Sequence, residues 1–525
     1  MKIKHLYITL LAALVLGMNT GCEDRLNIAK HGSLGGPEDY YQTDSEAESA
    51  VASMYITWRN MYFNWYSLKN ALADDVWAGG GSRGDSSELE GLNEYTYDSS
   101  NGFIKSVYQN LYSLIYKANL IVENVPGTTD VMKRAIAEAK AVRAWAQMEL
   151  VSLWGTAPVV DHVLAVSEYH QSNGTPEQSW AFVESNLTEA IESGALPSKT
   201  SVNDQETGIR ITQETAKALL GKAYLFQGKY TEAGEVLDEV IESKLYELYP
   251  DYEYLLHARA NNSCEAMLEL QMRNDAEQAW AQGNYSNSVE VMTGWRSAQL
   301  TFTSEASSVF AMGCYGFYSP RQTLYQAFVD REGENGYRLK STMRTYAQMQ
   351  EAGVSIASGQ TLMGNEGYFM WKIRPLQEDL VINNPGWQVL QYVNHRIMRY
   401  AEVLLMAAEA HVMGDGDNAK ATKYVNEIRR RAQLSDLASV TLDDVKAEKR
   451  LELCMECIRY QDLVRWGDAE TMMAEQGKQV ATYNGAAVQY PYTNTVYGFK
   501  AKHKLLPFPL TEMEVNSNMV QNEGW

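Results

Sequence analysis

The stretch Thr215 to Ser243 constrains the fold more than any other. Gly221, Tyr224, Gly228, Tyr230 and Ala233 follow one another at spacings of three, four, two and three residues. Small residues at such positions let two helices approach closely, and the tyrosines fill the gap between them; this is the pattern of a tetratricopeptide unit. One helix pair cannot bury its apolar face alone, so several pairs must stack into a curved solenoid. Other segments supply them. Ala135 to Trp154 holds almost unbroken helix formers and is stopped by Gly155 and Pro158. Tyr108 to Val122 has a helical apolar period. Arg399 to Arg431 repeats the paired scheme loosely, with Ala407, Ala410 and Gly414 before a turn at Asp415 to Asn418. Its second helix ends in Arg429 to Arg431, which complement the helix dipole.

Between Tyr252 and Trp387 the character changes to Gly, Ser, Asn and aromatic residues with weak helical period. The expectation is a mainly α protein: a tetratricopeptide-like solenoid over about residues 40–250 and 390–470, interrupted by a loop-rich, aromatic-rich insertion (252–387) with short strands. The C-terminal segment 471–525 contains a similar irregular stretch, Gly477 to Lys502. Residues 22–525 are read as a single domain, since about 500 residues suffice for one large core.

Residues 1–21 read as a cleaved leader. Lys2 and Lys4 precede an apolar run from Leu6 to Leu16, too short to span a bilayer, and small residues lead to Gly21-Cys22. A Cys in that place points to lipoprotein processing with acylation of Cys22, although Asn19 stands where Leu is usual. Loss of the leader removes two Lys and no acid, taking the net charge from −21 to −23. That charge opposes binding to nucleic acid and to anionic lipid. Cys454 and Cys457 form a lone C-x-x-C within a charged helical pattern, without the further ligands that a zinc site needs.

No catalytic constellation stands out. There are eight His and no H-E-x-x-H, no G-x-S-x-G and no phosphate-cradling loop. The acids are expected mainly on solvated helix faces. No metal or cofactor is expected; Asp415 and Asp417 lack the following ligands of a calcium loop. Aromatic residues, 11% of the chain, are the informative class. A ring can stack on the C–H face of a sugar while Asn, Asp and Arg bond its hydroxyls. Two clusters lie outside clean helical periods: Asn70 to Gly81, with Asn70, Asp74 and Trp77, and Trp280 to Tyr325, with Trp280, Tyr285, Trp295, Tyr315 and Tyr318. From these, Trp77, Trp280, Tyr285, Trp295 and Tyr315 are expected to contact a glycan, with Asn70 and Asp74 as polar partners.

Glu448-Lys449-Arg450-Leu451-Glu452-Leu453, then Glu456, Arg459, Asp462-Leu463 and Arg465-Trp466-Gly467, resembles the signature helix of the SusD/RagB family. Ala137 to Pro158, Arg399 to Met406, and Leu506-Pro507-Phe508-Pro509 with Glu512, Asn516 and Gln521-Asn522 resemble further family blocks in the same order. Cys457 departs from the family, standing where Gly is usual. The resemblance implies a lipoprotein of the outer membrane, facing the exterior. Such a protein binds oligosaccharide, less often peptide, and delivers it without catalysis to a SusC-like TonB-dependent barrel, in assemblies where both components are paired. It also implies ligand sites built from an early loop and the mid-chain insertion, where the two aromatic clusters fall. Two alternatives stay open here: a tetratricopeptide scaffold that docks another protein, and a surface glycoside hydrolase.

Overall fold

A computed structural model of the chain describes residues 40–274, 289–382, 389–414 and 416–525. Among the described residues, eight helices build the stack, six before the insertion and two after it. Helix α1 is Asp44–Ala71, α2 Gly102–Asn124, α3 Asp130–Trp154 and α4 Pro176–Glu192. Helices α5 (Gln213–Phe226) and α6 (Tyr230–Glu242) form the pair read from the glycine and tyrosine spacing. Helices α7 (Tyr400–Met413) and α8 (Asn418–Arg431) form the second pair.

Local chemistry sets the ends. Thr43 opens α1 with a capping box, its backbone N–H donating to Glu46 at 2.9 Å. Asn101 and Thr129 cap α2 and α3 through their side-chain oxygens, and Asp417 caps α8 by accepting from the Ala419 N–H. The Asp417 carboxylate is thus a helix cap. Gly221 is obligatory for the α5–α6 packing: a Cβ there would sit 2.5 Å from Cγ of Leu237.

Each helix packs on the next in sequence, and α6 packs on α7 although the whole insertion separates them. Strand β1 (Ala266–Leu270) pairs antiparallel with β7 (His395–Arg399), and the Tyr400 N–H donates to the Glu265 carbonyl at 2.9 Å. The insertion therefore leaves and rejoins the solenoid at one place. Within it, β2 (Leu300–Phe302) pairs with β4 (Val354–Ile356), and β3 (Met343–Thr345) with β6 (Tyr368–Met370). Strand β5 (Leu362–Met363) joins β8 (Gln479–Tyr483) and β9 (Val488–Thr493) in a sheet of order β5-β8-β9. The C-terminal segment ties back to α3, where Asn522 donates to the carbonyls of Trp154 and Leu506.

Two expectations need correction. The signature region is two helices, α9 (Leu442–Leu453) and α10 (Arg459–Trp466), and the C-x-x-C lies in the break between them. Cys457 has a φ of 65°, a left-handed conformation that glycine adopts more readily than cysteine. Both thiols are free and buried, and burial pushes that of Cys454 up to about 12. The second correction concerns the acids. Glu138, Glu149, Glu265, Glu402, Glu409 and Glu452 are buried, not on solvated faces. Glu452 sits among three arginines, with contacts of 2.6 Å to Arg399 and 3.1 Å to Arg338 and a further one to Arg431. Burial alone would raise its carboxyl, yet these cations hold it well below the usual carboxylate range. Sequence period cannot distinguish an acid facing water from one facing an arginine across a helix interface.

Candidate glycan-binding surface

The α9–α10 pair positions the early loop. Asp74, just beyond α1, takes a two-pronged bond from Arg459 at 2.7 and 2.9 Å, with Arg450 3.4 Å away. Arg450 also donates to Asp75 at 2.9 Å. Asn70 donates to the Tyr66 carbonyl at 3.0 Å and to the Cys457 sulfur at 3.2 Å. Asn70 and Asp74 are thus buried and occupied by internal partners: they fix the loop and have no free edge for a ligand.

Beyond this clamp, the chain from Asp75 to Gly80 runs alongside Gly316 to Arg321. Trp77 donates to the Ser319 carbonyl at 2.8 Å, Tyr318 to Ala78 at 3.0 Å and Gly80 to Gly316 at 2.9 Å. Gly79, with a φ of 75°, allows this approach, since a Cβ would meet the Gly316 oxygen at 2.5 Å. At Gly81 the Arg296 guanidinium occupies the place a side chain would take. The early cluster and the insertion are therefore brought together into one seam.

The indoles expected at this seam lie under its surface. Trp77 is buried beneath β5 and β8 against Met363 and Val480, with the Arg321 guanidinium 3.7 Å over its ring. Trp295 is buried against Phe310 and Trp371 and donates to the Met370 carbonyl at 2.7 Å. Tyr318 is likewise in the core. Their faces are taken by protein, so neither Trp77 nor Trp295 offers a stacking surface. Trp280, Tyr285 and Cys22 lie outside the described residues.

Other rings are open. Tyr315 is 38% exposed, and its carbonyl accepts from Arg296, which also contacts Asp85 at 3.1 Å. Every residue of β9 is exposed, and Tyr490 and Tyr492, each 40% exposed, alternate onto one face of it. Arg83 lies 5.6 Å over the Tyr492 ring while paired with Glu94. Tyr490 donates to Glu366 at 2.8 Å; the other Glu366 oxygen accepts from Trp77 at 3.0 Å and from the Gln322 N–H at 2.7 Å. Burial, followed by Glu366, pushes the Tyr490 phenol up to about 12, so it remains a neutral donor. Sequence reading missed both tyrosines. The signal available was V-Q-Y-P-Y-T, an alternating strand whose Pro491 is tolerated because β9 is an edge.

The cavity beneath the seam, lined by Gly80, Arg296, Asn365 and Met363 among others, is only about 30 Å³. That volume holds a water and no more, so a ligand would lie on the surface. The arrangement offers separated ring faces flanked by guanidinium and carboxylate groups. It suits an extended molecule with alternating apolar and hydroxyl faces.

Residues 265–525 match the family model described as SusD family, and residues 37–225 match one described as starch-binding, associating with outer membrane. A SusD-like protein of Formosa agariphila is 26% identical, with 99% of each chain covered. The starch-binding protein SusD of Bacteroides thetaiotaomicron is 24% identical over 84% of this chain and 82% of its own. Among solved structures, a laminarin binding SusD-like protein superposes with a TM-score of 0.77 at 29% identity, covering 92% of this chain and all of that one. Surface glycan-binding protein A from Bacteroides thetaiotaomicron, in complex with laminarihexaose, gives 0.74 at 23% identity, with the same coverage.

Proposed function

For this chain, which belongs to the SusD family, we propose a role as the surface receptor of a nutrient importer, binding an oligosaccharide across Tyr490, Tyr492 and Tyr315. Family members are carbohydrate-binding and non-catalytic, which removes the hydrolase alternative. The observation that carries the reading is the pair of exposed tyrosines on β9, held beside Arg83 and Glu366. A relative named for starch and solved relatives named for laminarin and laminarihexaose direct it toward glucans.

In this reading Cys22 carries the acyl chains, the protein sits on the outer membrane facing outward, and a SusC-like TonB-dependent barrel receives the bound glycan. Among the described residues no helix is long and apolar enough to cross a membrane. Affinity electrophoresis through gels containing laminarin or starch tests the binding surface. The double variant Tyr490→Ala/Tyr492→Ala should lose most of the wild-type retardation, because each stacked ring is worth about 0.5–1.5 kcal/mol. Unchanged retardation would remove this surface from consideration. Copurification of a barrel protein with the acylated chain, and of none with Cys22→Ser, tests the remainder.

A further inference from the structure

A second groove lies away from the seam, between the outer face of α2, the chain after Gly155 and the C-terminal helix Leu510–Val515. Its volume, about 590 Å³, falls in the range of about 300–1,000 Å³ usual for small-molecule sites. Gln109, Tyr112, Ser113 and Tyr116 present one wall at helical spacing, and Tyr169 and Gln171 stand among the residues opposite. Tyr116 and Tyr169 are 52% and 59% exposed, the most open aromatic rings among the described residues.

The groove is built from distant segments that hold one another in place. Tyr112 donates to the Pro158 carbonyl at 2.7 Å. Buried Asn516 donates to the Gln171 carbonyl at 2.9 Å and to Glu512 at 3.1 Å. Tyr108 meets Tyr112 edge-on, with centroids 4.9 Å apart, and closes the floor. Such mutual bonding fixes the walls before any ligand arrives, which lowers the ordering cost of binding.

The lining chemistry selects the occupant. Tyrosine faces alternate with neutral amides and a hydroxyl, and only Lys117 and Glu512 are charged; Lys117 is already bonded to Ser53 at 2.6 Å. A chain with a net charge of −21 repels anions. A neutral polyol with an apolar ring face fits both conditions.

We propose that this groove is a second saccharide site, which holds another stretch of the same polymer bound at the β9 surface. The proposal rests on the reading that the protein binds glycans, and not on where the first site lies. Two sites on one polymer raise the apparent affinity well above that of either alone.

The test uses the full-length protein with laminarin and starch in gels, and laminarihexaose and maltohexaose in solution. Tyr116→Ala/Tyr169→Ala removes two exposed rings and should leave the unfolding temperature unchanged. Retardation by the polymer should fall about tenfold, and combination with Tyr490→Ala/Tyr492→Ala should abolish it. In the β9 variant, calorimetry should still detect one hexasaccharide event, which Tyr116→Ala/Tyr169→Ala eliminates. If Tyr116→Ala/Tyr169→Ala changes neither retardation nor that event, the groove is not a saccharide site; loss of a copurifying outer-membrane protein instead would assign it to a protein partner. If the β9 variant alone abolishes all binding, the second site is overturned and the receptor reading stands. If the groove variant alone abolishes all binding, the groove is the sole saccharide site, and the β9 placement and the two-site proposal both fall. Failure of the wild-type protein to bind any of the four glucans overturns both.

Discussion

Tyr490 and Trp77 converge on opposite oxygens of one carboxylate, that of Glu366, at 2.8 and 3.0 Å. An exposed ring and a buried one are thereby locked to the same point. Glu366→Ala should release the Tyr490 ring and raise the dissociation constant for a bound oligosaccharide about five- to tenfold, the equivalent of about one hydrogen bond. Tyr490→Phe, which removes only the hydroxyl, should shift affinity in the same direction by less. Titration calorimetry with laminarihexaose measures both; equal affinities for wild type and Glu366→Ala would mean that the ring's orientation is irrelevant.

Asp74 provides a test of the clamp beneath the loop. Burial alone would raise its carboxyl, but Arg450 and Arg459 overcome this and hold it well below the usual range. A carboxyl depressed on folding stabilises the protein above its unfolded pKa, about 3.9, and that contribution fades as pH falls below it. Asp74→Asn should destabilise the fold by about 3–5 kcal/mol at pH 7, since it leaves two buried guanidiniums undercompensated. Thermal unfolding between pH 7 and pH 3 should show the gap between wild type and variant narrowing with acid.

Glu290 has the opposite sign. Buried beside Tyr62 and His395, its carboxyl is pushed up to about 8 by burial. Between about pH 4.5 and pH 8 the folded chain keeps a proton that the unfolded chain has lost. This one group therefore lowers stability with rising pH, by at most about 1.4 kcal/mol per unit. Glu290→Gln should match wild type near pH 4 and exceed it near pH 8 in chemical denaturation. Parallel pH profiles for the two proteins would rule out this titration.

Legibility in the sequence differed between framework and surface for physical reasons. The α5–α6 pair was readable because Gly221 reports a helix contact in which a single Cβ would collide with Leu237. The α3 terminus was readable because Gly155, at a φ of 72°, ends it. The seam was half readable: glycine-rich Asn70 to Gly81 and the insertion do meet. The orientation of their rings was not, because an indole beside glycines can face inward or outward with the same local pattern. Arg321 and Glu366 draw Trp77 inward, and both lie far along the chain. Tyr490 and Tyr492 were overlooked for the converse reason, since nothing in six residues states that a strand has neither face covered. The break at Cys454–Ile458 was hidden inside a helical charge pattern whose partners are tertiary.

The pairing of β1 with β7, reinforced by α6 against α7, staples the two ends of the insertion side by side. Everything between those staples is a closed excursion. Lengthening such a segment adds little closure entropy, about 0.6 kcal/mol for each doubling, and leaves the helical stack's own contacts in place. So long as the close approach at Gly79 and the buried pairs Arg338–Glu452 and Lys372–Glu456 are kept, selection can rewrite which sugar is recognised without redesigning the scaffold that carries it.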